Sequence, residues 1–246
     1  MKFRIGTVIA WFSVFLLLAF LVGCTDTGNE EEEEREGGNY GPVVIGPGDH
    51  YRTHEHGRHD EGRDSEGHQR YRSDHITVTG QNVRPENGPA FNRFNLSMNN
   101  VHYHHSPLHV ISVGSITFSG QVSEANVNSF LNARAQRDNS GIRNIHMRFL
   151  PGQVQTTAMY RRNDRDMTIY STGTFRPEGG NRLVYIPRTM MANNTPLPLD
   201  VQQDFLNHMN PVMNLGSLKC APQVQHVTIN RGMLIVSGPA TVTNMP

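Results

Sequence analysis

Histidine and carboxylate side chains are the residues of this chain best suited to chemistry, and most of them sit in its first half. His50, His54, His56, His59, His68 and His75 fall in one polar stretch with Asp and Glu between them. A His-x-His pair such as His54 and His56 can share a zinc or nickel ion through imidazole nitrogen. The spacings are irregular, nothing repeats and arginines lie among the candidate ligands, so a solvated mixed-charge linker explains the same residues. A second group, His102, His104, His105 and His109, flanks Ser106-Pro107. On a strand His102 and His104 would share a face. That suits a zinc trio, but polar surface histidines beside a turn are the plainer account. No metal site and no cofactor are assigned on this basis.

Nucleophiles are no better supplied. Cys220 lies between Lys219 and Ala221-Pro222 with no base nearby in the sequence, the setting of a semi-buried structural thiol. Two cysteines are too few for a cysteine-type zinc site. Asp164, Asp166 and Glu178 fall in or beside turns, where carboxylates are ordinarily solvated. There is no Gly-x-Ser-x-Gly elbow, phosphate loop, His-Glu-x-x-His or dinucleotide fingerprint. Catalytic residues are therefore none, and the chain reads as not an enzyme. The 22 Lys and Arg balance the 22 Asp and Glu, so no electrostatic footprint for nucleic acid exists. Nearly all the basic residues are arginine, whose planar fork suits a lipid phosphate, although a codon bias would leave the same trace.

The N-terminus decides where these residues reside. Lys2 and Arg4 precede an almost wholly apolar Ile5 to Phe20, the charge-then-hydrophobe order of a secretory signal. Leu21-Val22-Gly23-Cys24 then resembles the lipobox of bacterial lipoproteins, in which the cysteine is acylated and becomes the mature N-terminus. The alternative is an uncleaved transmembrane helix, since Ile5 to Gly23 is nearly long enough to span a bilayer. Residues 1–23 are thus expected to be a lipoprotein signal peptide, with Cys24 the lipid anchor. The expected location is the cell membrane, lipid-anchored and facing the extracytoplasmic side. Residues 24–74 carry the acidic run Glu30 to Glu34 and the histidine-rich stretch, with little apolar area to offset ordering entropy. They are expected to form a disordered acidic, His-rich tether with a reach on the order of 40 Å.

Residues 75–246 change character. Ile76 to Thr79 is a short strand candidate ended by Gly80, Phe91 to Leu96 another, and Leu108 to Val113 and Ser115 to Ser119 are strand-like with a bulge expected at Gly114. Ser123-Glu124 starts a helix, with Val127, Phe130, Leu131 and Arg134 at helical spacing and Asn126, Asn128, Ser129 and Asn132 opposite. Four strands in antiparallel order follow, separated by Pro151-Gly152, Asn163-Asp164 and Pro177-Glu178-Gly179-Gly180. Val201, Phe205, Leu206 and Met209 form the stripe of a second helix that begins near Pro198 and breaks at Asn210-Pro211. A closing hairpin turns at Asn230-Arg231-Gly232.

The order of many weak motifs is similar to that of the LmeA-like family of bacterial envelope lipid-binding proteins. Matching residues are Ser123-Glu124-Ala125-Asn126 with Phe130-Leu131, Phe149 with Pro151-Gly152, Gly173-x-Phe175, Leu183 and Pro196-Leu197-Pro198. Asn210-Pro211 with Leu215 and Leu218, and Arg231 to Gly238, complete the set, which spans about Leu108 to Val242. The long tail and the methionine- and asparagine-rich helix region depart from the pattern. The resemblance implies phospholipid binding without catalytic residues and an α+β fold. That fold would be a curved antiparallel meander sheet packed on two amphipathic helices, resembling tubular lipid-binding folds. An apolar groove in it would draw on Phe130, Leu131, Ile145, Met147, Phe149, Met167, Ile169, Phe175, Tyr185, Phe205, Leu206 and Met209. The same side chains could instead fill a solid core. The expected partners are phospholipid or another membrane lipid and the membrane itself through Cys24, with no nucleic acid and no identified protein partner. A structural or protein-holding lipoprotein and a His-rich metal-binding lipoprotein are the alternatives.

Overall fold

The computed structural model describes residues 43–44, 50–105, 108–218 and 220–241. The apolar N-terminal run, Cys24 and the acidic run Glu30 to Glu34 lie outside the described residues. Two antiparallel sheets and two helices make up the fold, so the broad α+β expectation holds, with two sheets where one was expected.

The first sheet has seven strands. They are β1 (Val43–Val44), β2 (His50–Arg63), β3 (Gln69–Val83), β4 (Phe91–His105), β5 (Leu108–Ser123), β12 (His226–Asn230) and β13 (Met233–Pro239), in the order β1-β2-β3-β4-β5-β13-β12. The second contains β6 (Ile142–Leu150), β7 (Gln153–Arg162), β8 (Arg165–Glu178), β9 (Arg182–Ala192) and β10 (Thr195–Pro196), in reverse sequence order, with β11 (Met213–Asn214) paired to β9. Helix α1 (Glu124–Arg137) follows β5 directly, and α2 (Leu199–Met209) joins β10 to β11.

Much of the tether expected over residues 24–74 is corrected here. His50 to Arg63 and Gln69 to Asp74 are strand, paired with each other and with β4. Composition had too little apolar area for this, but cross-strand pairs replace it. His59 Nε2 lies 3.1 Å from Asp74 Oδ2 and His102 Nδ1 lies 3.0 Å from Glu61 Oε2. Arg58 sits 4.2 Å over the Tyr71 ring, which stacks on Tyr103 at 5.8 Å.

Gly80 does not end its strand, because β3 continues to Val83. Nor is Gly114 a bulge: β5 runs through it, and the register shift falls between His102 and Tyr103. Gly114 instead leaves room for Asn100, whose Cβ lies 3.1 Å from where a side chain would begin. The four-strand meander, the two helices and the closing hairpin stand where the apolar periodicity put them. Alternate residues of both sheets and the inward faces of both helices merge into one buried cluster. The turn of the last hairpin joins the sheets: Gly152 donates to the Ile229 carbonyl at 2.9 Å and Gly232 to the Phe149 carbonyl at 3.2 Å.

Candidate functional site

The second sheet's apolar face and the two helices hold the twelve residues expected to line a groove. Helix α1 is set by the Ser123 cap, whose hydroxyl accepts the Asn126 N–H at 3.2 Å, and by acidic Glu124 in its first turn. It then lies along the open edge of β6. Asn128 Oδ1 accepts the Met147 N–H at 2.7 Å while its Nδ2 donates to the Met147 carbonyl at 3.0 Å. Asn132 does the same for Ile145, at 2.9 and 2.7 Å. Glu124 Oε2 accepts the Phe149 N–H at 2.7 Å. Four helical residues rise about 6 Å and two strand residues about 6.6 Å, so side chains spaced by four on α1 meet backbone spaced by two on β6. The asparagines expected on the wet face of α1 are thus a polar seam that completes the sheet edge.

Helix α2 is held differently. Its buried stripe is Val201, Phe205 and Met209. Tyr160 on β7 donates its hydroxyl to Asp204, and Arg162 meets Asp200 at 2.9 Å and Asp204 at 3.5 Å. The Tyr160 phenol is pushed up to about 12, chiefly by burial and then by the Asp204 carboxylate. Arg134, which the helical periodicity of α1 counted with its apolar stripe, donates to the carbonyls of His208, Met209 and Pro211. It caps the C-terminus of α2 and so ties one helix to the other.

Within this frame Leu131, Ile145, Met147, Phe149, Ile169, Phe175, Tyr185, Phe205 and Met209 are buried. Phe130, Met167 and Leu206 are half-buried and pack on the same cluster. Phe149 meets Phe175 edge-on at 5.7 Å, and Phe175 meets Tyr185 at 6.1 Å. Gly173 is needed beside them, since any side chain there would strike the Ile186 carbonyl. Burial raises the Tyr185 phenol, only partly offset by its polar neighbours Ser171 and Thr156, leaving a neutral hydroxyl 2.8 Å from Ser171 Oγ. Asn210 brackets the same tyrosine's backbone, accepting its N–H at 2.8 Å and donating to its carbonyl at 3.1 Å. These side chains form a buried apolar layer that encloses the Ser171–Tyr185 pair and the Thr156 hydroxyl, which makes no hydrogen bond among the described residues.

The buried cluster also takes in Phe91, Phe94, Leu96, Met98 and Phe118 from the first sheet. These were not among the twelve, although Phe94, Leu96 and Met98 alternate with polar residues and could have been read as a strand's inner face. Cys220 is buried and free, and burial pushes its thiol up to about 11, in keeping with a structural role.

The histidines regroup. His54 and His56 are exposed on β2. His102 is engaged by Glu61, and His104 meets Asp64 and His68 instead of the neighbours its spacing suggested. The side chains of His105 and His109 lie outside the described ones.

Among the described residues the inner face of the second sheet is thus a buried apolar layer whose edge strand is closed by α1. The model of the LmeA-like phospholipid-binding family matches residues 71–238, from within β3 to within β13. The chain belongs to that family. Comparison with curated proteins and with solved structures gave no match.

Proposed function

We propose that this protein is a membrane-anchored, extracytoplasmic lipoprotein that binds phospholipid acyl chains in an apolar groove between the second sheet and its two helices, in maintenance of envelope lipid or glycolipid. It acts without catalysis. Membership of a phospholipid-binding family across both sheets carries this conclusion. The lining supports it: each methylene removed from water contributes roughly 0.8 kcal/mol, and Met147, Met167 and Met209 adapt to chains of different shape. Phe130 and Leu206, partly buried on the two helices, would form the margin where a chain enters. Cys24, acylated, would anchor the molecule with more than one chain, far more firmly than a single acyl group.

Native mass spectrometry of the full chain, purified in detergent, tests the binding step. Phospholipid at about one molecule per chain is the expected result; a bare protein mass, with a specific crosslinked partner, would favour a structural role. Leu206→Arg is the more informative variant. It is only partly buried, so the fold should survive while lipid is lost. Phe149 is fully buried and its replacement tests packing alone.

A further inference from the structure

The hairpin joining β2 to β3 brings together three metal-ligating side chains that the sequence scatters. Asp64 and His68 belong to its turn, and His104 lies near the end of β4. The β3–β4 register pairs Arg70 with His104, which sets His68 diagonally beside His104 on the same face. The two rings stand 5.3 Å apart.

Asp64 divides its carboxylate between two tasks. Oδ1 accepts the backbone N–H of Glu66 at 2.9 Å and of His68 at 2.8 Å, which fixes the turn. Oδ2 is left facing the rings, 3.4 Å from His68 Nδ1 and 3.0 Å from His104 Nε2. The three ligand atoms lie within 4.8 Å of one another. Zinc with nitrogen and oxygen ligands at about 2.0–2.1 Å in tetrahedral array has ligand–ligand edges of roughly 3.3 Å, and both edges to Oδ2 fall close to that. A second observation points the same way. His68 Nδ1 is closed off from solvent yet makes no hydrogen bond, and an orphaned buried polar atom of this kind is uncommon unless an ion or water occupies the site. Glu66 Oε2, 3.6 Å from His68 Nδ1 on an exposed side chain, is available as a further ligand.

We propose that Asp64 Oδ2, His68 Nδ1 and His104 Nε2 bind one divalent transition cation of the zinc type. Two imidazoles exclude calcium and magnesium as the preferred occupant, since those ions take oxygen ligands. The cation pins the β2–β3 turn to the end of β4, and it does so independently of any lipid.

Cobalt(II) and then zinc are titrated into the full chain in detergent, followed by visible absorption and calorimetry. One cobalt per chain with the visible bands of a four- or five-coordinate site, displaced by zinc, is expected. His68→Ala and His104→Ala should each weaken binding by at least about tenfold, whereas the exposed pair His54→Ala with His56→Ala should leave it unchanged. X-ray absorption of the zinc-loaded wild type should show two imidazoles in the first shell, which holds even if a variant misfolds. Absence of binding, a first shell without two imidazoles, or loss confined to the His54 and His56 variant overturns the proposal.

Discussion

Asn128 and Asn132 each spend both ends of a side-chain amide on one residue of β6, its N–H and its carbonyl. An open edge strand is a template for pairing with another chain, and native sheets cover or charge such edges. Here two amides and Glu124 do so from a helix. Asn128→Ala should therefore cost about 1–3 kcal/mol, because it strands a part-buried donor and acceptor, and Asn128→Ala with Asn132→Ala should increase self-association. Urea unfolding and light scattering check both outcomes. A loss below about 0.5 kcal/mol, the range of ordinary surface substitutions, would show that water serves the edge equally well. Residue periodicity could not have found this seam, since a polar stripe on a helix reads the same whether it faces solvent or a strand edge.

At the scale of elements, α2 adds exposed ion pairs to the apolar stripe that holds it. Asp200 is held below the usual carboxylate range, first by its hydrogen bond from Arg162 and, after the opposing pull of desolvation, by the charge of the same guanidinium. A depressed folded pKa means that the tie is fully present above the unfolded value near 3.8 and is lost as pH falls through the lower folded value. Hydrogen exchange in α2 should accelerate as pH is lowered below that point, after correction for the intrinsic rate. In Arg162→Gln this acid-dependent step should vanish; a step of the same size in the variant would place the titration elsewhere. Leu206→Arg belongs at this scale too, since it alters the helix's margin without emptying its core. The expected pairing is wild-type melting with lost phospholipid, and retained phospholipid would move the entrance away from α2.

For the whole molecule, one buried cluster takes in side chains of both sheets from Ile76 onward, so these parts of the two sheets are expected to unfold together. The first sheet, partly taken for a tether, is thus integral to the body that would hold lipid. The proposed anchoring is a separable property. Cys24→Ala should block lipid processing and alter membrane retention without changing the phospholipid content. The mature mass and the fractionation together check this, and an unchanged mature mass would refute the lipobox assignment.

Periodicity and turn chemistry determined the helices, the β6–β9 meander and the closing hairpin, because alternation by two or by 3.6 is imposed locally by backbone geometry. Tertiary structure decided what pairs with what. That Asp64 meets His104, that Arg134 reaches α2 and that Asn132 answers Ile145 depend on strand register and helix placement. So does the order of residues 50–74, whose strands are held by partners that no local composition reveals. Apolar pattern is written along the chain, whereas polar complementarity exists only between segments once they are aligned.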